Sequence, residues 1–283
     1  MSHPSPLTLN PSPLTFNPSP PNPIIPMFRP FIALVIYFVV QLVCSIPVIV
    51  FSLFNGRDSG NIMPHAEVLS WTLIISSVIT VVLLHVFKFI NVARPGVSEL
   101  KPKSTLLAIA SVVLLMFASS VLTEWVSLDN IMAEQFMAMA LTVPGALAIS
   151  VIGPIAEEYL FREAIQGGML RYGARPWVAC VVSAFIFGLV HGNPAQILFA
   201  FLIGLVFALV YMHTRSIVPV IICHIINNST SVVLMNIYSD NPNIGFNDIL
   251  GKVPTVVAFV LSLAVGLLLL RLFLKQSRAE QTA

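Results

Sequence analysis

Charge is the scarcest feature of this 283-residue chain: Lys, Arg, Asp and Glu together make up 9% of it, where soluble domains carry about 25%. That deficit argues against a water-soluble enzyme. Fourteen basic residues against twelve acidic ones leave a net charge of +2, too sparse and too balanced for the footprint of a nucleic-acid binder. Cysteine is rarer still. Cys44, Cys180 and Cys223 are odd in number, lie in apolar runs and fall at no metal-ligand spacing, so neither a disulfide framework nor a cysteine metal site is expected. They read as small buried hydrophobes.

What is abundant is apolar sequence, with 57% hydrophobic residues and a mean hydropathy of +0.92. A bilayer core of about 30 Å takes about 20 apolar residues per helix. Segments of this kind lie at 31–54, 68–87, 104–123, 138–156, 177–191, 195–212, 217–236 and 253–274. The fifth is short, and Gly192-Asn193-Pro194 turns it tightly into the sixth. Residues 157–172 keep helical character but are more polar, which predicts that the fourth helix runs on into the interface. The fold class that follows is all-α, a polytopic transmembrane helical bundle of about eight spans, integral to the membrane (the inner or cell membrane if the chain is bacterial). The lipid bilayer is its first partner, and no nucleic acid is expected.

Residues 1–26 are of another kind, with PSPLTLN followed directly by PSPLTFN. Proline at this density cannot continue a helix, and the stretch has too little apolar surface to fold. It also lacks the charged and apolar regions of a signal peptide. It reads as a disordered tail, and Met27 stands as an alternative start. The remainder divides into N-terminal transmembrane helices at 27–143, a core at 144–236 that holds the polar motifs, and a C-terminal helix with its tail at 237–283.

Loop charges orient the bundle. With both termini inside, twelve of the fourteen basic residues fall on the inner side, and only Arg57 and Lys252 fall outside. Asp58, Glu67, Glu124, Asp129, Glu134, Asp240 and Asp248 collect on the outer side. This is the positive-inside asymmetry, and eight spans with N-in and C-in satisfy it.

Ionisable residues at membrane depth cost at least about 2.5–3.5 kcal/mol each on insertion scales and mark function by default. Three clusters stand out. In Gly153-Pro154-Ile155-Ala156-Glu157-Glu158-Tyr159-Leu160-Phe161-Arg162, Glu158 and Arg162 are i,i+4 and share a helix face. Glu157 is rotated from them by about 100°. Phe187 and His191 are stacked a turn apart in the second cluster. In the third, His224 and Asn228 share a face while Asn227 points away. Each has an ordinary reading taken singly: an interfacial ion pair, a packing histidine, interhelical polar glue.

Together they are the parts for hydrolysis. A carboxylate can serve as general base toward water, histidines can share or relay its proton, and a histidine with an amide can stabilise an oxyanion. No nucleophilic Ser or Cys is indicated, since Cys223 and His224 are neighbours on a helix and face different directions. The same donors, Glu157, His191 and His224, are also of the types that hold Zn²⁺, so a zinc reading stays open. The soluble H-E-x-x-H arrangement is absent.

The order E-E-x-x-x-R, F-x-x-x-H and H-x-x-x-N resembles the CPBP family of intramembrane proteases, which includes type II CAAX prenyl endopeptidases and bacteriocin-processing or self-immunity proteins. The words GPIAEEYLFRE, FIFGLVHGNPAQ and TRSIVPVIICHIINN extend the likeness over about residues 144–236. The resemblance implies that Glu157 activates water with help from His191, and that His224 and Asn228 stabilise the oxyanion. It makes Glu158 and Arg162 supporting partners and has Phe187 shape the pocket. Family members are described both as metalloproteases and as metal-independent glutamate proteases. One departure is Glu163, where the family has Gly, and a carboxylate there is expected to compete with Glu158 for Arg162. The implied substrate is a membrane protein or lipidated peptide, with a polar cavity opening toward the cytoplasm near Arg162 and Arg215. The alternative is a non-catalytic membrane scaffold or immunity protein of the same fold.

The topology carries its own test. A reporter fused after Lys275 reads as cytoplasmic in an alkaline phosphatase and fluorescent-protein pair, and a reading on the far side breaks the eight-span arrangement.

Overall fold

The computed structural model describes the backbone of residues 25–55, 63–93 and 96–282, so the proline-rich reading of the first 24 residues lies outside it. Among the described residues the regular structure is entirely helical. The chain runs through α1 (Ile25–Asn55), α2 (Met63–Val86), α3 (Pro102–Val126), the short α4 (Ala133–Ala140), α5 (Val143–Arg171) and α6 (Pro176–Leu189). It continues through α7 (Pro194–Thr214), α8 (Val218–Ile237), a turn of helix α9 (Phe246–Leu250) and α10 (Lys252–Thr282). The helix boundaries follow local chemistry. Proline opens α3, α6 and α7, where its missing N–H costs nothing. Ser127 and Arg215 close α3 and α7 in left-handed conformation, as C-terminal caps often do.

Seven of these helices are long and apolar enough to cross a membrane. The eighth expected span, α6, has 14 residues and so a length of about 21 Å, short of the hydrocarbon thickness. It nonetheless joins the same two ends of the bundle as its neighbours. At one end, Arg29 Nη2 donates to the Phe87 carbonyl at 3.0 Å and Arg171 Nη2 to that of Phe89 at 3.1 Å. Gln281 Nε2 meets the His213 carbonyl there at 2.9 Å. At the other, Glu124 accepts from the backbone N–H groups of Phe246 and Asn247 at 2.6 and 3.1 Å. Asn193 Nδ2 donates to Asn130 Oδ1 at 2.8 Å on the same side. Loops expected to share a side of the membrane therefore do share an end of the molecule.

The fourth span departs from its expected limits of 138–156. Residues 138–140 close α4 instead, and Thr142 restarts the chain as an N-cap, its side chain accepting from Gly145 N–H at 3.0 Å with Pro144 in the first turn. Apolar sequence on both sides of Thr142 hides this break. From there α5 continues to Arg171 through two π-helical stretches, Ala148–Ile152 and Tyr159–Gln166, on either side of the α-helical Gly153–Glu158. Such π segments recur at functional sites. α5 is the axis of the bundle and packs against α1, α2, α6, α7 and α8. α3 packs on α10, α7 and α8, while α1 and α10 turn a broad apolar face outward.

α6 and α7 form an antiparallel hairpin whose tight contact needs Gly204. A Cβ there would stand 3.0 Å from the Phe187 ring and 3.3 Å from Ala184. Its turn is pinned by fully buried Asn193, which donates to Asn130 and accepts from Ile131 N–H at 3.2 Å. Replacing Asn193 by Ala removes both hydrogen bonds, each worth about 0.5–1.5 kcal/mol, and is read as a lower melting temperature of the detergent-solubilised protein.

Candidate active site

Arg162 is the largest fully buried side chain, and two of the next largest, Phe187 and Phe207, lie against it. A guanidinium in such a place must be paired. Arg162 Nε donates to Glu158 Oε2 at 2.9 Å, both side chains having no solvent exposure. Nη1 donates to Ser183 Oγ at 3.2 Å, and Ser183 in turn donates to the Phe161 carbonyl at 2.8 Å. The guanidinium carbon lies 4.9 Å from the Phe187 ring centre and 5.7 Å from that of Phe207, within cation–π range. The i,i+4 spacing read from the sequence thus yields a pair wrapped in aromatic rings rather than an interfacial one.

Glu158 has a second partner. His224 on α8 places Nδ1 2.8 Å from Glu158 Oε1, and its Nε2 faces Glu157 Oε2 at 3.7 Å. A donating Nδ1–H leaves Nε2 as the ring atom turned toward Glu157. Phe187 and Phe207 hold the imidazole between them, with ring centres 5.8 and 5.5 Å away.

Phe187 is also the link to His191, whose ring lies edge-on to it at 5.0 Å. His191 Nδ1 is 2.7 Å from the Phe187 carbonyl one turn back. The structure thus gathers Glu157, Glu158, Arg162, Phe187 and His224 into one cluster and attaches His191 through Phe187. No ion pair joins Glu157 to His191 among the described residues.

Asn228 shares the inward face with His224 as expected. Its Nδ2 donates to the Ile149 carbonyl at 2.9 Å. The reason is local: Gly153 N–H bonds to the Ala148 carbonyl across five residues, and in that register the donor for Ile149 is residue 154. Residue 154 is proline, with no N–H to give. Asn228 fills the gap. Asn227, expected to point away, instead donates to Asn228 Oδ1 at 3.0 Å, so the two amides act as a pair.

Two further expectations are corrected. Glu163 does not compete for Arg162: its Oε1 accepts from Asn91 N–H at 2.7 Å, on the outer side of α5. Nor does a polar opening reach Arg162, which is sealed. The cavity beside Arg215, about 170 Å³ in volume, is lined by Lys101, His213 and Glu280 at the bundle end. Glu157 has instead a much smaller cavity of about 20 Å³, walled by Tyr37 and Gln41 of α1 and Ser77 and Thr80 of α2. These four were not anticipated. The signal was present in Gln41, an amide inside an otherwise apolar span, and in the hydroxyls of α2.

The zinc reading needs Glu157, His191 and His224 to converge. Among the described residues no three His, Cys, Asp or Glu side chains do so, and the chemistry below is derived without a metal.

Residues 139–230 match the family described as type II CAAX prenyl endopeptidase Rce1-like. The segment contains every residue of the cluster. That match bears out, over this segment, the resemblance to CPBP-family membrane proteases that the motifs carry. YdiL of Bacillus subtilis (strain 168), named as an inferred membrane peptidase, is 26% identical over 196 residues, covering 66% of this chain and 79% of YdiL. The membrane-embedded CAAX protease MroQ of Staphylococcus aureus (strain USA300) is 36% identical over 90 residues, covering 30% and 36% of the two chains. A second family, organic solute transporter Ostalpha, matches residues 5–147. The YdiL likeness covers more of the chain than lies beyond residue 138, so it reaches back into the helices that the transporter family also matches. No solved structure matches.

Breaking a buried pair costs far more than the pair contributes, about 3–5 kcal/mol when one partner is removed. Arg162→Ala is therefore expected to abolish recovery of folded protein from membranes, measured by fluorescence-detected size exclusion. The double change Glu158→Gln with Arg162→Met should recover more than Arg162→Ala alone.

Proposed function

We propose that this membrane protein is an intramembrane endopeptidase that hydrolyses a peptide bond of a membrane-associated or lipidated substrate with water activated by Glu157. The observation that carries the reading is the contrast between two adjacent carboxylates. Glu158 is fully buried and has both oxygens committed, to Arg162 and His224. Glu157 keeps 29% of its side chain exposed, and its buried Oε2 has no hydrogen-bond partner among the described residues. A group that must accept a proton in a reaction has to be free at rest, and Glu157 is.

In the reaction, Glu157 takes one proton from water as the water oxygen adds to the substrate carbonyl carbon. His224 serves the oxyanion when Nε2 carries a proton as well as Nδ1, so that both ring nitrogens donate, and one Asn228 N–H joins it, since the Asn228 amide has a second hydrogen beyond the one given to Ile149. Collapse breaks the C–N bond, and the proton passes to the leaving amine, with His191 in the assisting role. Both protons of the water end on the leaving nitrogen, so peptide and water give a carboxylate and a protonated amine. Burial of the cluster strengthens each of these hydrogen bonds by excluding bulk water. A scaffold of the same fold would need the Glu158–Arg162 pair but not an unpartnered Glu157.

Glu157→Gln preserves size and membrane insertion while removing the base. General-base loss typically costs 10²–10⁴-fold. Comparing protein termini by mass spectrometry in cells expressing wild type or Glu157→Gln at matched levels should reveal termini formed only with the wild type. Identical termini would favour the scaffold.

A further inference from the structure

The cavity beside Glu157 has a size and lining that the mechanism above does not explain. Its volume of about 20 Å³ exceeds the about 10–15 Å³ that one water needs. A buried water also needs two to four polar partners. Glu157 Oε2 and Thr80 Oγ1 are both fully buried atoms without a hydrogen-bond partner among the described residues, and both residues line this cavity.

Thr80 departs from the behaviour of its own helix. A hydroxyl in a membrane helix ordinarily bonds back to a carbonyl one turn earlier. On α2, Ser70 does so to Ala66 at 2.6 Å, Thr72 to Val68 at 2.8 Å and Ser76 to Leu73 at 3.2 Å. Thr80, only 1% exposed, does not. Ser77 lies nearly a turn away on the same face and is also buried. From α1, the Tyr37 hydroxyl pairs with the Gln41 amide and feels the charge of Glu157, completing a polar wall in two otherwise apolar spans. An unpartnered buried hydroxyl costs about 1–3 kcal/mol, which a shared water recovers for Thr80 and Glu157 together.

We infer that Thr80, backed by Ser77, Tyr37 and Gln41, positions the water that Glu157 activates, so that the hydrolytic water is held between α2 and α5. This rests on the peptidase reading and extends it to helices outside the matched family segment. Thr80 donates to or accepts from the water, which presents a hydrogen to Glu157 Oε2 and a lone pair outward. Through that water it sets where the nucleophile stands, which makes it a positioning residue.

A high-resolution structure of the full chain in lipid nanodiscs, together with kinetics on a substrate found by the termini comparison, tests this. The wild type should show one ordered water within about 3.2 Å of both Glu157 Oε2 and Thr80 Oγ1, lost in Thr80→Val with the helices unmoved. Thr80→Val should lower kcat roughly tenfold, the loss of one hydrogen bond worth about 1.4 kcal/mol, with KM within twofold. Thr80→Ser should restore it. A wild-type map without that water overturns the inference, as does wild-type kcat in Thr80→Val alongside an inactive Glu157→Gln. If wild type and Glu157→Gln give the same termini, the peptidase reading falls. The role inferred for Thr80 in catalysis falls with it, whereas the water peak still shows whether the hydration site exists.

Discussion

A guanidinium buried between two phenylalanine rings is the constraint around which the family-matched part of this protein is arranged. Burying Arg162 and Glu158 carries a desolvation penalty of several kcal/mol per ion, and their mutual attraction offsets it only when the remaining hydrogen-bonding atoms are also served. Three other helices supply most of those partners, Arg162 Nη2 having none among the described residues. Ser183 comes from α6, the rings of Phe187 and Phe207 from α6 and α7, and His224 from α8. The pair is thus a register device as much as a source of stability. Sliding α6 or α8 by one residue would take Ser183 or His224 off its partner and leave a charge unserved.

The same pair determines what His224 can do. Because Glu158 Oε1 holds Nδ1, the ring cannot rotate, and Nε2 is directed at the Glu157 side of α5. The order of causes runs from Arg162 to Glu158 to His224, and under the proposed mechanism only the last of these meets the substrate. Asn228 reaches the same region by a different route, drawn in by the carbonyl that Pro154 leaves without a donor. Proline one residue after Gly153 therefore has a structural purpose in the motif. It creates the acceptor that fixes the amide one turn beyond the histidine.

Much of this was legible in the sequence, and the reasons for what was not are physical. Spacing alone placed Glu158 with Arg162 and His224 with Asn228, because i,i+4 neighbours share a face even where α5 loosens into π geometry. Loop charges grouped Arg29, Arg171 and Arg215 at one end, where the structure has them. The break at Thr142 was invisible to hydropathy, since α4 and the start of α5 are equally apolar and only a cap and a proline separate them. The pairing of Asn227 with Asn228 also escaped, because adjacent helix positions diverge at Cβ but a long amide can reach across. Glu163 looked like a rival for Arg162 on sequence distance, whereas it leaves α5 in another direction and accepts from Asn91 N–H.

The least legible part was the contribution of the first two helices. Hydropathy treats Ser77 and Thr80 as nearly neutral, because a hydroxyl bonded to its own helix costs little in lipid. Whether such a hydroxyl is self-satisfied or offered to a neighbour depends on what packs against it, and that is a tertiary fact. Here α2 lies against the α-helical turn of α5 that carries Glu157, so the unpartnered Thr80 hydroxyl and the unpartnered Glu157 oxygen line the same small cavity. Adjacent glutamates on one helix thereby come to differ completely. About 100° of rotation turns Glu158 into a closed network of charge and Glu157 toward a cavity the size of a water, and this division lets a single helix both hold the bundle together and present the carboxylate that the proposed mechanism uses as its base.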